Sequence, residues 1–116
     1  MRALQLVLKK KWFDMIANGV KHEEYREITH YWADRILKDY PIDWRFRMSV
    51  CIEAGDFTMF QGKEFGGWDG VYFYLGYAKD RPKMYVPIER ITIGTGNPEW
   101  GAEPGKSYFV IKLKDS

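Results

Sequence analysis

GVKHEEYR, residues 19–26, is the stretch around which the rest of this 116-residue sequence is arranged. It holds two cations, two carboxylates, an imidazole and a phenol. It begins with Gly19, and glycine readily adopts the left-handed backbone that commonly ends a helix. The stretch therefore predicts a junction between a helix and an extended segment. A run this polar beside apolar neighbours is either a solvated edge strand or a binding site.

The segment before the junction predicts a strand followed by a helix. Residues 1–8 alternate leucine with other side chains, which is the pattern of a strand with one buried face. Residues 12–18 carry Trp12 and Ile16 at helical spacing, so we expect a short helix with a buried stripe.

Three consecutive lysines, Lys9, Lys10 and Lys11, separate this strand from this helix. A charged run is most often a solvated face, so the favoured interpretation is an exposed first helical turn. The alternative is a basic patch that faces phosphate groups at the mouth of a cleft.

The segment after the junction predicts one more helix and a run of strands. Residues 20–28 are predicted to be extended. Thr29 is a favourable N-cap for a second helix that runs to about Tyr40 and is stopped by Pro41. The remaining strands are predicted over residues 48–53, 71–78, 84–94 and 107–113. Pro87, inside the third of these, predicts an edge position or a bulge.

Five or six strands with two early helices predict an α+β fold. The nearly all-β second half, with its short strands and glycine turns, favours a small β-barrel. The length predicts one domain, residues 1–116, that is able to bury a core. The lone Cys51 lies in an apolar run and predicts inert packing in a reducing compartment. No apolar run is long enough to span a membrane, so we expect a cytoplasmic protein with no membrane partner.

Charge and composition constrain the partners only weakly. The formal net charge of +2 and the pI of about 8.6 do not by themselves imply nucleic acid. Aromatic residues make up 17% of the chain, and they either form core or line a cleft that stacks on flat ligands such as nucleobases. Two His and one Cys match no zinc pattern, and the sequence contains no calcium loop, phosphate-binding loop or nucleophile elbow. We therefore expect no metal and no cofactor.

Lys21 offers three kinds of chemistry within the polar stretch. It can fix an anionic group as a point charge. It can act as a base or nucleophile if burial lowers its pKa. It can also form a structural ion pair with Glu23 or Glu24, and Glu24 can pair with Arg26 on the same strand face. The residues alone leave these alternatives open.

Gly-x-Lys-x-x-Glu-x-Arg, the pattern of residues 19–26, resembles the signature of the ASCH domain, a family of the PUA-like superfamily. Residues 94–105 and 108–113 also resemble a phage-type and bacterial subgroup of that family, so the resemblance covers nearly the whole chain. It implies a small PUA-like β-barrel of five to six strands with two or more flanking helices. It also implies a cleft between barrel and helix, lined by Lys21, Glu24 and Arg26, that binds RNA or a nucleoside-like ligand.

The resemblance implies less about catalysis. Some relatives are ribonucleases, and others deacylate a modified cytidine with a threonine nucleophile at the position of Glu24, assisted by the lysine and a later glutamate. A carboxylate does not easily replace a hydroxyl in acyl transfer, so the deacylating activity is not carried over. Glu89 is the nearest candidate for the later glutamate, while Pro87 stands where an acidic residue is expected.

Three functions follow as hypotheses. The first is a module that binds RNA or another nucleic acid, with ligand-binding residues Lys21, Glu24, Arg26, Tyr25, Trp12, Trp100, Lys9, Lys10 and Lys11. The second is a hydrolase that acts on a modified nucleoside or on RNA, with Lys21 and Glu24 as catalytic residues. The third is a protein-interaction domain in which the signature only ties a helix to the barrel through ion pairs.

Overall fold

The computed structural model describes residues 2–114, which form an α+β fold of one five-stranded sheet and three α-helices. In chain order the elements are β1 Ala3–Leu8, α1 Lys10–Ala17, β2 Glu23–Glu27, α2 His30–Ile36, α3 Ile42–Ala54, β3 Gly70–Leu75, β4 Lys83–Thr95 and β5 Ser107–Leu113. Two 3-10 turns, Thr58–Phe60 and Pro98–Trp100, lie in the loops before β3 and before β5. Within residues 2–114, no helix combines the length and apolar character that crossing a membrane requires.

The sheet curls into a half-barrel with the strand order β1-β3-β4-β5-β2. β1 and β3 are parallel, and the other pairings are antiparallel. The two edge strands are therefore β1 and β2, and the open side of the half-barrel lies between them. Arg26 of β2 reaches across this opening, where its Nη2 donates a hydrogen bond to the carbonyl of Val7 in β1 at 3.2 Å.

The core is built from alternate strand residues and from one side of each helix. Leu4, Leu6 and Leu8 are all buried, as the alternation of residues 1–8 predicts. They pack in one cluster with buried residues of the other elements, among them Ile16, Ala33, Ile36, Met48, Phe73, Ile91, Phe109 and Ile111. Removing this apolar surface from water is the main driving force for the fold.

The predicted position of Cys51 in the core is confirmed, since its side chain is buried in α3. Burial raises the pKa of the Cys51 thiol above its usual value, because the thiolate is the form that loses most hydration. A protonated, buried thiol is a poor nucleophile, which agrees with the predicted role in packing.

β4 is long because it belongs to both halves of the sheet. Residues 83–87 pair with β3, and residues 88–95 pair with β5. The register shifts between Ile88 and Arg90, immediately after Pro87. Of the two alternatives predicted from Pro87, the structure shows the bulge; the edge position is wrong, because β4 is the central strand of the sheet.

The predicted strand over residues 48–53 is wrong, because these residues belong to α3. The buried residues Met48 and Cys51 are three apart, which is the spacing of one helix face. The helix ends at Gly55, whose φ is 68°. A short apolar run fits a strand or a buried helix equally well, and exposed apolar side chains such as Phe46 hide the two-sided pattern of α3.

The helix α2 is shorter than predicted. Thr29 caps it as expected, since its hydroxyl accepts a hydrogen bond from the backbone N–H of Trp32 at 3.3 Å. However, the helix ends at Ile36 rather than near Tyr40, and Pro41 is the N-cap of α3. Proline suits the start of a helix because its φ is fixed near the helical value. It also has no backbone N–H, and the first N–H groups of a helix have no partner within the helix.

Gly96 approaches two side chains so closely that a β-carbon has no room. A Cβ at this position would lie 2.6 Å from the Cβ of Ala102 and 2.6 Å from the ring of Tyr25. We expect Gly96→Ala to lower the free energy of unfolding by about 1–3 kcal/mol through overpacking. Denaturant unfolding followed by circular dichroism measures this loss. Gly94→Ala is the matched control, because its Cβ would meet nothing nearer than Val110 at 4.0 Å; equal losses in both variants would contradict the prediction.

Candidate ligand-binding cleft at the open side of the half-barrel

The helix-to-strand junction predicted at Gly19 is confirmed. α1 ends at Ala17, and Gly19 has a φ of 74°. The backbone N–H groups of Val20 and Lys21 both donate to the carbonyl of Met15, at 2.9 and 3.1 Å. These bonds turn the chain back under the helix, so that Lys21 points into the protein.

Lys21 is buried with an almost complete set of partners. Only 2% of the residue is exposed. Its Nζ lies 2.9 Å from Oε1 of Glu24 and donates a hydrogen bond to the carbonyl of Trp100. The ammonium also lies over two rings, 4.6 Å from the centroid of Trp12 and 5.2 Å from that of Tyr25. Such contacts replace the hydration that a buried cation loses.

Glu24 is placed between two cations. Its Oε1 faces Lys21, and its Oε2 accepts a hydrogen bond from Nη1 of Arg26 at 2.7 Å. The same Nη1 also donates to the carbonyl of Tyr25 at 2.7 Å. We call Lys21, Glu24 and Arg26 the charge cluster. One carboxylate balances two cations, so the cluster carries one net positive charge at the edge of the sheet.

Two groups at this site have shifted pKa values: the ammonium of Lys21 and the phenol of Tyr25. Burial lowers the pKa of Lys21 below its usual value, and this effect outweighs the attraction of Glu24. Burial also raises the pKa of Tyr25 well above its usual value. The Tyr25 hydroxyl donates to Oε1 of Glu23 at 2.7 Å and accepts from the backbone N–H of Asn97 at 2.9 Å, so the phenol is held in its neutral form.

A cleft of about 700 Å³ lies along the open side of the half-barrel, between β1 and β2. Gln5 and Val7 border it from β1, and Arg26 and Glu27 border it from β2. Aromatic side chains form much of the remaining wall, including Trp12, Tyr31, Trp32, Tyr77 and Trp100. The guanidinium of Arg26 lies 5.3 Å from the ring centroid of Trp32, so a cation and a flat ring face the same space.

Most of the predicted ligand-binding residues line this cleft. They are Lys9, Trp12, Glu24, Tyr25, Arg26 and Trp100. Lys21 does not line it; its side chain lies beneath the wall and borders a smaller hollow next to Pro87. Lys10 is exposed and pairs with Asp14 at 2.6 Å, and Lys11 lies over the ring of Trp12 at 4.7 Å.

The structure places the three lysines differently, and it also gives the position of Glu89. Lys9 precedes α1 at the cleft, whereas Lys10 and Lys11 occupy an exposed first helical turn, which is the favoured interpretation. Glu89 lies outside the cleft lining and forms ion pairs with Arg90 and Lys112, each at 3.5 Å. The ion-pair partners of Glu89 are therefore cations of β4 and β5 rather than Lys21.

Sequence reasoning missed several residues of the cleft. Tyr31 and Trp32 follow the Thr29 cap at the start of α2, where an apolar pattern predicts a buried helix face, although Tyr31 is 55% exposed. Exposure of an aromatic residue beside a helix cap is not visible in a hydropathy pattern. Gln5 and Tyr77 come from β1 and from the β3–β4 turn, and only the pairing of distant strands brings them to the cleft.

The arrangement is chemically suited to binding more than to proton transfer. Both oxygens of Glu24 are occupied by cations, and Nζ of Lys21 is held by Glu24 and a carbonyl. Among residues 2–114, no group of three or more His, Cys, Asp or Glu side chains could hold a metal ion. The cleft therefore offers flat apolar rings and the guanidinium of Arg26 as its main means of recognition.

No family model, curated protein or solved structure matches this chain. The similarity of residues 19–26 to the ASCH signature accordingly stays a prediction. The geometry of the charge cluster and the cleft stands independently of it.

We predict that Glu24 matters more for stability than Lys21. Glu24→Gln leaves the buried ammonium of Lys21 and the partly buried guanidinium of Arg26 without a counter-charge, and we expect it to lower the free energy of unfolding by about 3–5 kcal/mol. Lys21→Met keeps an apolar stem between the two rings and leaves Glu24 paired with Arg26. We expect a loss of about 1–2 kcal/mol, mainly from the carbonyl of Trp100 that loses its donor. Urea unfolding of both variants tests the order, and a larger loss in Lys21→Met would contradict it.

The lowered pKa of Lys21 also predicts a pH dependence. Between that lowered pKa and 10.5, the usual value, the unfolded chain binds a proton that the folded chain has released, so stability rises with pH. Lys21→Met lacks this group. We therefore expect the free energy of unfolding of the wild type, minus that of Lys21→Met, to increase as the pH approaches 10.5 from below. Tyr25 is present in both proteins, so its contribution to the pH dependence largely cancels in the difference. A difference that stays constant or falls over this range would show that Lys21 keeps its ordinary pKa.

Proposed function

We propose that this protein is an ASCH-like, PUA-like module that binds single-stranded RNA, with an unpaired base held in the cleft. The aromatic wall of the cleft carries this proposal. Single-stranded nucleic acids are commonly bound by stacking of their bases on aromatic side chains, and each stacked base contributes about 1–3 kcal/mol. The volume of about 700 Å³ is in the usual range for a site that encloses a small planar group.

The charges at the cleft support the same proposal. Lys9 is exposed at its border, and Arg26 presents a guanidinium whose side chain is 16% exposed. A guanidinium suits both phosphate oxygens and base edges, because its N–H groups form a planar fork. Glu27 at the rim is paired with Lys106 at 2.6 Å, which offsets its repulsion of phosphate.

The signature residues then take distinct roles. Arg26 contacts the ligand, Glu24 holds Arg26 in place, and Lys21 holds Glu24 from beneath. In this assignment Lys21 does not contact the ligand, in contrast to the prediction from the sequence. Its ammonium is enclosed by Glu24, Trp12, Tyr25 and the carbonyl of Trp100. Binding therefore depends on the cluster as a unit.

A hydrolase acting on a modified nucleoside or on RNA is the second candidate. One observation favours it: a lysine with a lowered pKa lies directly beneath the cleft, in contact with a carboxylate. A neutral Lys21 that accepts a proton through Glu24 would make the pair a general base. Incubation of the protein with RNA and with acylated cytidines, followed by chromatography of the products, separates this candidate from simple binding.

Tyr31 provides a test of stacking in the cleft. It is exposed and forms an edge contact with Trp32, with ring centroids 4.9 Å apart. We expect Tyr31→Ala to weaken binding of a fluorescein-labelled, random-sequence RNA octamer by about 10-fold, because one base loses its stacking partner. The thermal midpoint should change little, since the ring is largely solvated. Fluorescence anisotropy measures the affinity.

Phe46→Ala is the matched control for Tyr31→Ala. Phe46 is 68% exposed on α3, and it does not line the cleft. It should leave RNA affinity within twofold of the wild type. Equal effects of the two substitutions, or no binding by the wild type, would overturn the proposed function.

A further inference from the structure

The outer face of β3 and β4 carries a group of tyrosines and cations. On β3, Val71 and Phe73 are buried, so the alternate residues Tyr72 and Tyr74 point outward. The antiparallel register places Tyr85 of β4 opposite Tyr72 and Lys83 opposite Tyr74. We call the outward set the tyrosine face, which comprises Tyr72, Tyr74, Tyr77, Arg81, Lys83 and Tyr85.

The cations of this face are held against its rings. The guanidinium of Arg81 lies 4.3 Å from the ring centroid of Tyr74, and Arg81 also donates to the carbonyl of Gly76 at 3.2 Å. The ammonium of Lys83 lies 5.5 Å from the centroid of Tyr72. The connecting turn adds Lys79 and one carboxylate, Asp80, so residues 79–83 carry a net charge of +2. Cations fixed beside flat rings match a chain of alternating phosphates and bases.

The tyrosine face continues directly from the cleft. In the parallel register of β1 and β3, Gln5 pairs with Tyr72 and Val7 pairs with Tyr74. Gln5 and Val7 line the cleft, so β3, whose Tyr72 and Tyr74 share a sheet face with them, lies one strand spacing, about 4.8 Å, from the strand that forms its wall. Tyr77 borders both the cleft and the hollow around Arg81 and Lys83. It is 85% exposed, so its ring is available to a ligand that passes from one to the other.

We infer that the tyrosine face is a second subsite for the same RNA strand, and that it takes the nucleotides adjacent to the base held in the cleft. The inference rests on the proposed function. Tyr77 stacks on a base as the strand leaves the cleft, and Arg81 and Lys83 contact the phosphates that follow. The cleft and this face together form a track across β1, β3 and β4.

Two double variants test this track against general electrostatics. Arg81→Gln with Lys83→Gln removes two cations that lie over tyrosines of the face. Arg47→Gln with Lys63→Gln is the matched control, because it also removes an arginine and a lysine that lie over an aromatic ring, in this case Trp44, at 4.9 and 5.0 Å. Neither control residue borders the cleft or the hollow of the tyrosine face. All four residues are replaced by a neutral side chain of similar length.

The readout is the affinity of the RNA octamer as a function of salt. We expect the Arg81 and Lys83 variant to bind about 10-fold more weakly at low salt, and the slope of log K against log salt to fall by about 1.4, or about 0.7 for each lost phosphate contact. The control variant should stay within twofold of the wild type. Tyr77→Ala adds an uncharged test and should weaken binding about fivefold with an unchanged salt slope.

Each contrary outcome has its own meaning. Suppose that the wild type binds the octamer and that Tyr31→Ala weakens this binding, but that both double variants and Tyr77→Ala bind the octamer as tightly as the wild type. The second subsite is then overturned, while the proposed binding in the cleft is retained. If both double variants lose affinity equally, the effect is one of net charge and the subsite is again overturned. If the wild type does not bind the octamer, the proposed function and the second subsite are overturned together.

Discussion

The carboxylate of Glu24 is the contact on which the rest of the site depends. It joins a lysine that follows α1 to an arginine on β2, and each cation then reaches a further element. Lys21 holds the Pro98–Trp100 turn through a carbonyl, and Arg26 holds β1 through the carbonyl of Val7. A buried charge is tolerated only when it is paired and hydrogen-bonded, so these four segments keep one relative arrangement. The pairing of two cations with one buried acid thereby shapes the open side of the half-barrel.

That open side is where the cleft between β1 and β2 lies. A closed barrel satisfies its edge strands with backbone hydrogen bonds, but here the side chain of Arg26 spans the gap between β1 and β2. The space beside that side chain is walled by aromatic residues from α1, α2 and two loops. Gly96 contributes by allowing the loop before the Pro98–Trp100 turn to approach the ring of Tyr25. Irregular backbone and an incomplete barrel are thus both part of how the cleft is built.

The sequence predicted the local features and missed those that depend on distant pairing. Residue chemistry predicted the glycine that ends α1 and the Thr29 cap, and the spacing of apolar residues predicted the closing strand over residues 107–113. The pairing of Glu24 with Arg26 follows from the two-residue period of a strand. The helix α3 was taken for a strand because its apolar residues lie on more than one side. The position of Tyr77 in the cleft could not be predicted from the sequence, because the pairing of β1 with β3, which are far apart in sequence, brings it there.

The position of β2 in the sheet also has a consequence for how the chain is made. Among residues 2–114, β2 pairs with β5 alone, so that Glu23 lies opposite Lys112 and Glu24 opposite Ile111, more than eighty residues later in the chain. During synthesis, residues 19–26 leave the ribosome more than eighty residues before the strand that β2 pairs with. Until then Lys21 and Glu24 have no sheet edge to be buried against and stay hydrated. The charge cluster and the cleft therefore reach their final arrangement only after translation has passed β5, and a chain released before that point lacks the strand that supports β2.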